Sequence, residues 1–366
     1  MGVPAVTLVM DPHDDAAHTH AALAAHHPPS GRITLHPGPG TTSDTALAHD
    51  LLAALGRPPL LPGRFPSGRQ PAWEAATAWV TAQPVTRLTV LRAHRLTARR
   101  TERLLQLRAV TGIHLTLVCH RPRLPAALHQ ALQTVGHAVI TDSEAAQHHY
   151  DDGPPAHADD AGGDVRRSGH WLTLPVLDRL VSYDSPASCR AFCTPPPIVW
   201  RHRSQPASLT AHTAREAARR LADSTAHPRL AAALAAALFT GASFRQLATA
   251  GLRDYDDAVA TLALHDRGRY IDGCAAYPVP PWARIFLRAA ACFPRLVPGE
   301  DQALLAAPGD RTHLLRLAET ARLRPPQPPA AMRTDRADRV EWDWREQQEA
   351  KKYDAMLGVR QKPSRD

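Results

Sequence analysis

Residues 32–56 read RITLHPGPGTTSDTALAHDLLAALG, and the order of segments within them decides the fold class. Arg32 to Leu35 form an alternating apolar segment, Gly38-Pro39-Gly40 turn the chain, and Thr45 to Leu55 carry apolar residues at helical spacing. Strand, tight turn and helix is the setting in which a phosphate-cradling loop has meaning. The template for such a loop is Gly, four residues, Gly, Lys and then Ser or Thr. Laid on this chain it starts at Gly38, passes Gly40 and reaches Ser43, Asp44 and Thr45. The first glycine and the final hydroxyl match, while Ser43 replaces the second glycine and Asp44 the lysine. That lysine sets a positive charge against the outer phosphates of a nucleotide. A carboxylate in its place repels them.

A second stretch agrees with the first. Residues 88–96, LTVLRAHRL, resemble the second strand of an ATPase core, where apolar residues lead into Asp-Glu-Ala-His. Ala93, His94 and Leu96 fit that pattern. The two acidic positions are Leu91 and Arg92, so the magnesium-organising and water-activating carboxylates are both missing. A third apolar strand, Ile113 to Val118, ends at Cys119-His120, where such ATPases place a polar sensor. Together, residues 32–135 resemble the core of the small AAA-type helper ATPases of transposons and other bacterial mobile elements. The resemblance implies an α/β fold with a P-loop-NTPase-like sheet domain followed by a mainly helical domain. With every catalytic charge replaced, it implies a pseudo-ATPase with no catalytic residues, no bound cofactor and no ATP hydrolysis.

Composition widens the reading. The 366 residues suffice for two cores, and 43 basic against 35 acidic residues give a formal charge of +8. Lysine occurs only at Lys351, Lys352 and Lys362, an arginine bias that matches high-GC coding. A net positive chain is compatible with double-stranded DNA as a partner. The five cysteines are odd in number and scattered, which argues against a disulfide framework. No apolar run of membrane-spanning length occurs, and no signal-type core follows a basic start. A cytoplasmic protein without a membrane partner is the expectation. Cys189 and Cys193 stand four apart, a spacing seen in zinc sites, but no second Cys/His pair lies at a convincing distance, although His202 is nearby. No metal site is expected.

In chain order, residues 5–10 read as a short strand forming an extra layer before the first core strand. Leu96, Leu104, Leu107 and Val110 predict the buried stripe of a helix over 95–110, whose other face carries Arg99, Arg100, Arg103 and Arg108. Residues 1–140 form the degenerate P-loop-like domain, 141–170 a flexible linker or insert, 171–325 a mainly helical domain and 326–366 a charged tail. The apolar segment 229–239 predicts a buried helix. Phe244 to Ala248, the turn at Ala250-Gly251 and a helix over 255–265, followed by Arg267 and Arg269, resemble a helix-turn-helix with a wing. The stretch ALFTGASFRQLATAGLRDYD (237–256) also resembles the opening of a tyrosine-recombinase catalytic domain. Its first catalytic arginine is absent from Ala242-Ser243, with Arg245 displaced, which implies an inactive DNA-binding fold.

The function expected is a non-catalytic DNA-associated or assembly protein of a mobile-element or regulatory system. Its DNA contacts would be Arg99, Arg100, Arg103, Arg245, Arg253, Arg267 and Arg269, with the C-terminal tail docking on a partner protein. A scaffold that touches no nucleic acid is the alternative. An enzyme using His94 or His120, both placed where strands end, is the third class.

Overall fold

The computed structural model describes residues 6–63, 65, 68–151, 170–181, 193–200, 205–265, 274–297 and 303–326. The N-terminal part alternates strands and helices: β1 (Val6–Met10), α1 (Ala16–Ala24), β2 (Arg32–Leu35), α2 (Asp44–Ala54), α3 (Ala72–Ala82) and β3 (Arg87–Val90). It continues with α4 (Ala98–Thr111), β4 (His114–Cys119), α5 (Ala126–Gln133), β5 (His137–Ile140) and α6 (Ser143–Asp151). The five strands make one parallel sheet in the order β2-β3-β4-β1-β5. Side chains alternate across it as the strand period requires. Leu8, Leu88, Val90, Leu115 and Leu117 face the large core, while Val9, Leu91 and Val118 join Ala22 of α1 with Ala146 and Tyr150 of α6 on the opposite face.

Two expectations change here. The 5–10 strand is not an outer layer: β1 lies inside the sheet, paired with β4 on one side and β5 on the other. A continuous apolar run suits a parallel strand buried on both faces, and the burial of Val6, Leu8 and Val9 follows from that. Residues 143–151, placed in the flexible linker, form α6. Asp142 Oδ2 accepts from Ala145 N at 2.7 Å at the helix start, Tyr150 is buried, and His149 Nε2 meets Thr116 Oγ1 at 2.9 Å.

The C-terminal part contains α7 (Ala211–Ser224), α8 (Pro228–Thr240), the short α9 (Phe244–Leu247), then β6 (Tyr255–Asp256), β7 (Thr261–Leu264) and β8 (Ala275–Pro278). It ends with α10 (Pro281–Leu296) and α11 (Arg311–Thr320). As its composition predicts, α8 is buried almost throughout. The helix expected over 255–265 is instead part of a three-stranded antiparallel sheet, β6-β7-β8. Asp256 is the reason. Its Oδ1 accepts from Ala258 N at 2.9 Å and Val259 N at 3.2 Å, which closes a turn, and the TLAL alternation of β7 then buries Leu262 and Leu264. The second helix of a helix-turn-helix is therefore absent there, and the expected wing residues Arg267 and Arg269 lie outside the described residues.

Met1–Arg324 is one compact unit and Pro325–Asp366 another, so the parallel sheet and the helical part are not separate bodies. Trp79 of α3 joins them: its Nε1 donates to Ala226 O at 2.7 Å, and its ring meets Phe286 of α10 edge-on at 6.0 Å. The buried Arg57 guanidinium covers the face of that ring at 3.8 Å.

Candidate functional site at the carboxyl edge of the parallel sheet

Chain order and strand order together locate a crevice. After β1 the chain travels to β2 at one edge of the sheet, and after β4 it travels to β5 at the other. The direction reverses between β4 and β1, and in open α/β sheets ligands bind at such a switch point, outside the carboxyl ends of the strands. The residues delivered there are Asp11 after β1 and His120 after β4, with Arg92 and His94 following β3 and His36 following β2.

Asp11 and His120 are held tightly. Asp11 N donates to Cys119 O at 2.9 Å, so the β1–β4 pairing continues one residue past the strand. Its carboxylate Oδ2 lies 2.7 Å from His120 Nδ1, both side chains being buried, and Asp14 Oδ1 approaches the same nitrogen at 3.2 Å. Two carboxylates at Nδ1 place a proton on that nitrogen. Among the described residues, the buried Nε2 has no hydrogen-bond partner.

Around this pair sit cations and a second imidazole. Asp14 accepts from Arg92 Nη1 at 3.1 Å, and that hydrogen bond holds its carboxyl below the usual range. Both residues of the ion pair adopt φ of +52°, a left-handed conformation that a non-glycine residue keeps only when its surroundings impose it. His94 Nδ1 accepts from His120 N at 3.3 Å, with the two rings edge-on at 6.1 Å. Burial, followed by the charges of Arg121, His120, Arg95 and Arg92, pushes His94 down to about 4, so its imidazole is neutral near pH 7. Burial and Arg92 also lower His36. Donor atoms of Asp11, Asp14 and His120 lie within 4.8 Å of one another, a set that could hold a cation. Without one, the buried Asp11 carboxylate orients the His120 ring.

The start of α1 is closed to phosphate. Asp15 caps the helix by accepting from Ala17 N at 2.9 Å, and Asp11 Oδ1 accepts from Asp15 N at 3.1 Å. The chain's own carboxylates thus take the donors that an anion would use.

The loop of Gly38, Gly40, Ser43, Asp44 and Thr45 is elsewhere, following the edge strand β2. Neither glycine adopts a left-handed backbone, and a Cβ on Gly40 would meet open space, so no close phosphate approach accounts for them. Ser43 caps α2 by accepting from Ala46 N at 3.0 Å, Asp44 is the first helical residue, and Thr45 is exposed. The loop closes on α4. Arg100 donates to Thr41 O at 3.0 Å and to Thr42 O, while Arg99 Nε lies 2.8 Å from Asp44.

The expected arginine face on α4 is uneven in exposure and partners. Arg100 and Arg108 are buried, Arg99 pairs with Asp44, and Arg103 stacks at 5.9 Å over Trp73. On the same helix, Leu96, Leu104 and Leu107 are buried as predicted, but Val110 is exposed. Of the remaining candidates, Arg245 and Arg253 are exposed, the latter 3.9 Å from Asp254. Leu91 is fully buried in the smaller core and occupies no metal position. The structure does bring His94 and His120 together. Asp11 and Asp14 were missed, although Asp11 follows an apolar strand as directly as His120 does. Among the described residues, no helix is long and apolar enough to cross a membrane.

Comparison with protein-family models, curated proteins and solved structures returns no match for this chain.

Proposed function

We propose that this chain is a pseudo-ATPase: a non-catalytic DNA-associated or assembly protein built on a P-loop-like sheet. One observation carries the reading. At the carboxyl edge, the places that would serve phosphates hold carboxylates or are filled by the chain itself. A nucleotide in contact with the ends of β3 and β4 would reach α1 next, since β1 adjoins β4. There it meets Asp11, Asp14 and Asp15, with a capped helix start behind them. One carboxylate 4 Å from a phosphate oxygen costs about 4 kcal/mol in a partly dry site. The loop at 38–45 offers no substitute, because Arg99 and Arg100 secure it internally. The DNA half of the proposal rests on the basic balance of the chain and on Arg245, Arg253, Arg267 and Arg269.

Titration with a fluorescent ATP analogue and with labelled duplex DNA at two salt concentrations tests both halves. The expected result is no nucleotide binding with magnesium, together with DNA retention that weakens steeply with salt. Saturable ATP binding would overturn the pseudo-ATPase reading. Absence of DNA retention at low salt would leave a protein scaffold.

The orphaned His120 Nε2 supports a second reading, an enzyme in which Asp11 orients His120 as general base beside neutral His94. Hydrolysis of model esters or phosphate esters that is lost in His120→Gln and impaired in Asp11→Asn would favour it.

A further inference from the structure

The small antiparallel sheet collects three metal-ligating side chains that are far apart in sequence. Leu264 of β7 pairs with Ala275 of β8, so the next residues outward, His265 and Cys274, face each other across the end of the ladder. A third segment runs along the other side of β8 in parallel: Pro197 bridges Ala276, Ile198 N donates to Ala276 O at 2.9 Å, and Ala276 N donates to Pro196 O at 2.7 Å. Four residues before that bridge stands Cys193, on the side where β8 begins. The ligand atoms of Cys193, His265 and Cys274 lie within 4.8 Å of one another.

The histidine points the same way independently. His265 is buried, and among the described residues its Nδ1 has no hydrogen-bond partner. Its Nε2 lies 3.1 Å from Asp254 Oδ1, too oblique for a hydrogen bond. A buried imidazole with both nitrogens unpaired has lost its water without a replacement partner. A metal on Nδ1 and a small ring rotation toward Asp254 would satisfy both. The result is the carboxylate–histidine–metal arrangement that fixes the tautomer of a ligating imidazole. Asp254 is itself anchored, since its Oδ2 accepts from Gly251 N at 2.7 Å.

We propose that Cys193, His265 and Cys274 bind Zn²⁺, with Asp254 as the positioning residue behind His265. Two thiolates and one imidazole are a soft donor set that suits Zn²⁺ over magnesium or calcium, and they provide three positions of its tetrahedron. The ion ties the exit of β7, the entrance of β8 and the 193–200 segment into one unit. The proposal uses none of the residues on which the pseudo-ATPase reading depends.

The test measures zinc in the full-length chain purified without chelator, then adds Co²⁺ to chelator-stripped protein. Stoichiometric zinc in the native chain, lost in Cys193→Ser and in Cys274→Ser, is the expected result. Asp254→Asn should keep the zinc but weaken its affinity about 10–100-fold. Bound Co²⁺ should give the strong visible absorption of a tetrahedral ion with a thiolate charge-transfer band. That spectrum is read on the wild-type chain, so it decides the matter even where the cysteine variants fail to fold. A weak octahedral Co²⁺ spectrum, or zinc retained by both cysteine variants, would overturn the site.

Discussion

Arg99 and Arg100 are neighbours on α4, yet their side chains are 72% and 11% exposed, and this difference predicts different energies. Arg99 makes a surface ion pair with Asp44, a type that contributes about 0–1 kcal/mol. Arg100 holds the Thr41 and Thr42 carbonyls, so Arg100→Ala should cost about 2 kcal/mol in urea unfolding and Arg99→Ala under about 0.5. Equal losses would show that the loop is not latched by Arg100. His227 makes a separate prediction about pH. Burial, with Arg229 second, pushes it down to about 3, while its rings of contact are Phe65 and Phe293, each 5.5 Å away. The unfolded chain therefore takes up a proton near pH 6.5 that the folded chain refuses. Stability is complete above about pH 6.5 and declines as pH falls toward about 3. Between about pH 7.5 and about pH 5 this one residue should remove about 2 kcal/mol. His227→Phe, which keeps the stacking, should flatten that part of the profile, as measured by unfolding midpoints at the two pH values.

Among the elements, those with a continuous apolar run were legible, and those decided by a partner were not. The sequence reading placed β3 and β4 nearly at their observed bounds, and α8 declared its burial by composition. The strand over 6–10 was legible as a strand, but its place between β4 and β5 depends on parallel partners more than a hundred residues away in β4. The turn after β6 was hidden for a different reason. Asp254, Asp256 and Asp257 resemble the capping residues of a helix, and a four-residue alternation such as TLAL is too short to exclude one. The carboxylate at the sheet edge was missed because Asp11 acquires meaning only when β4 brings His120 beside it. The same turn carries a testable strain. Ala260 precedes β7 with φ of +51°, where an L-residue is disfavoured by about 1 kcal/mol. Ala260→Gly should raise the thermal midpoint modestly. A fall would mean that the buried methyl contributes more than the strain costs.

For the whole molecule through Arg324, the question is whether the parallel sheet and the helical part fold as one. Their shared core says that they do. Trp79 is fully buried, with Ala226 O on its Nε1, Phe286 at its edge and Arg57 over its face. The backbone joins the two parts at the same place, since Ala226 N donates to Leu60 O at 3.0 Å. Trp79→Phe removes the buried donor and leaves Ala226 O unsatisfied, at a cost of about 2 kcal/mol with the lost ring volume included. If the two parts opened independently, the loss would speed amide exchange in only one of them. A single cooperative unit instead requires the slowest amides of β4 and of α8 to exchange through the same global opening. Hydrogen exchange should therefore show both sets accelerating by a common factor, roughly thirtyfold for that cost. Acceleration confined to α8 would mean that the parallel sheet keeps its own stability, and that the interface at Trp79 joins two domains.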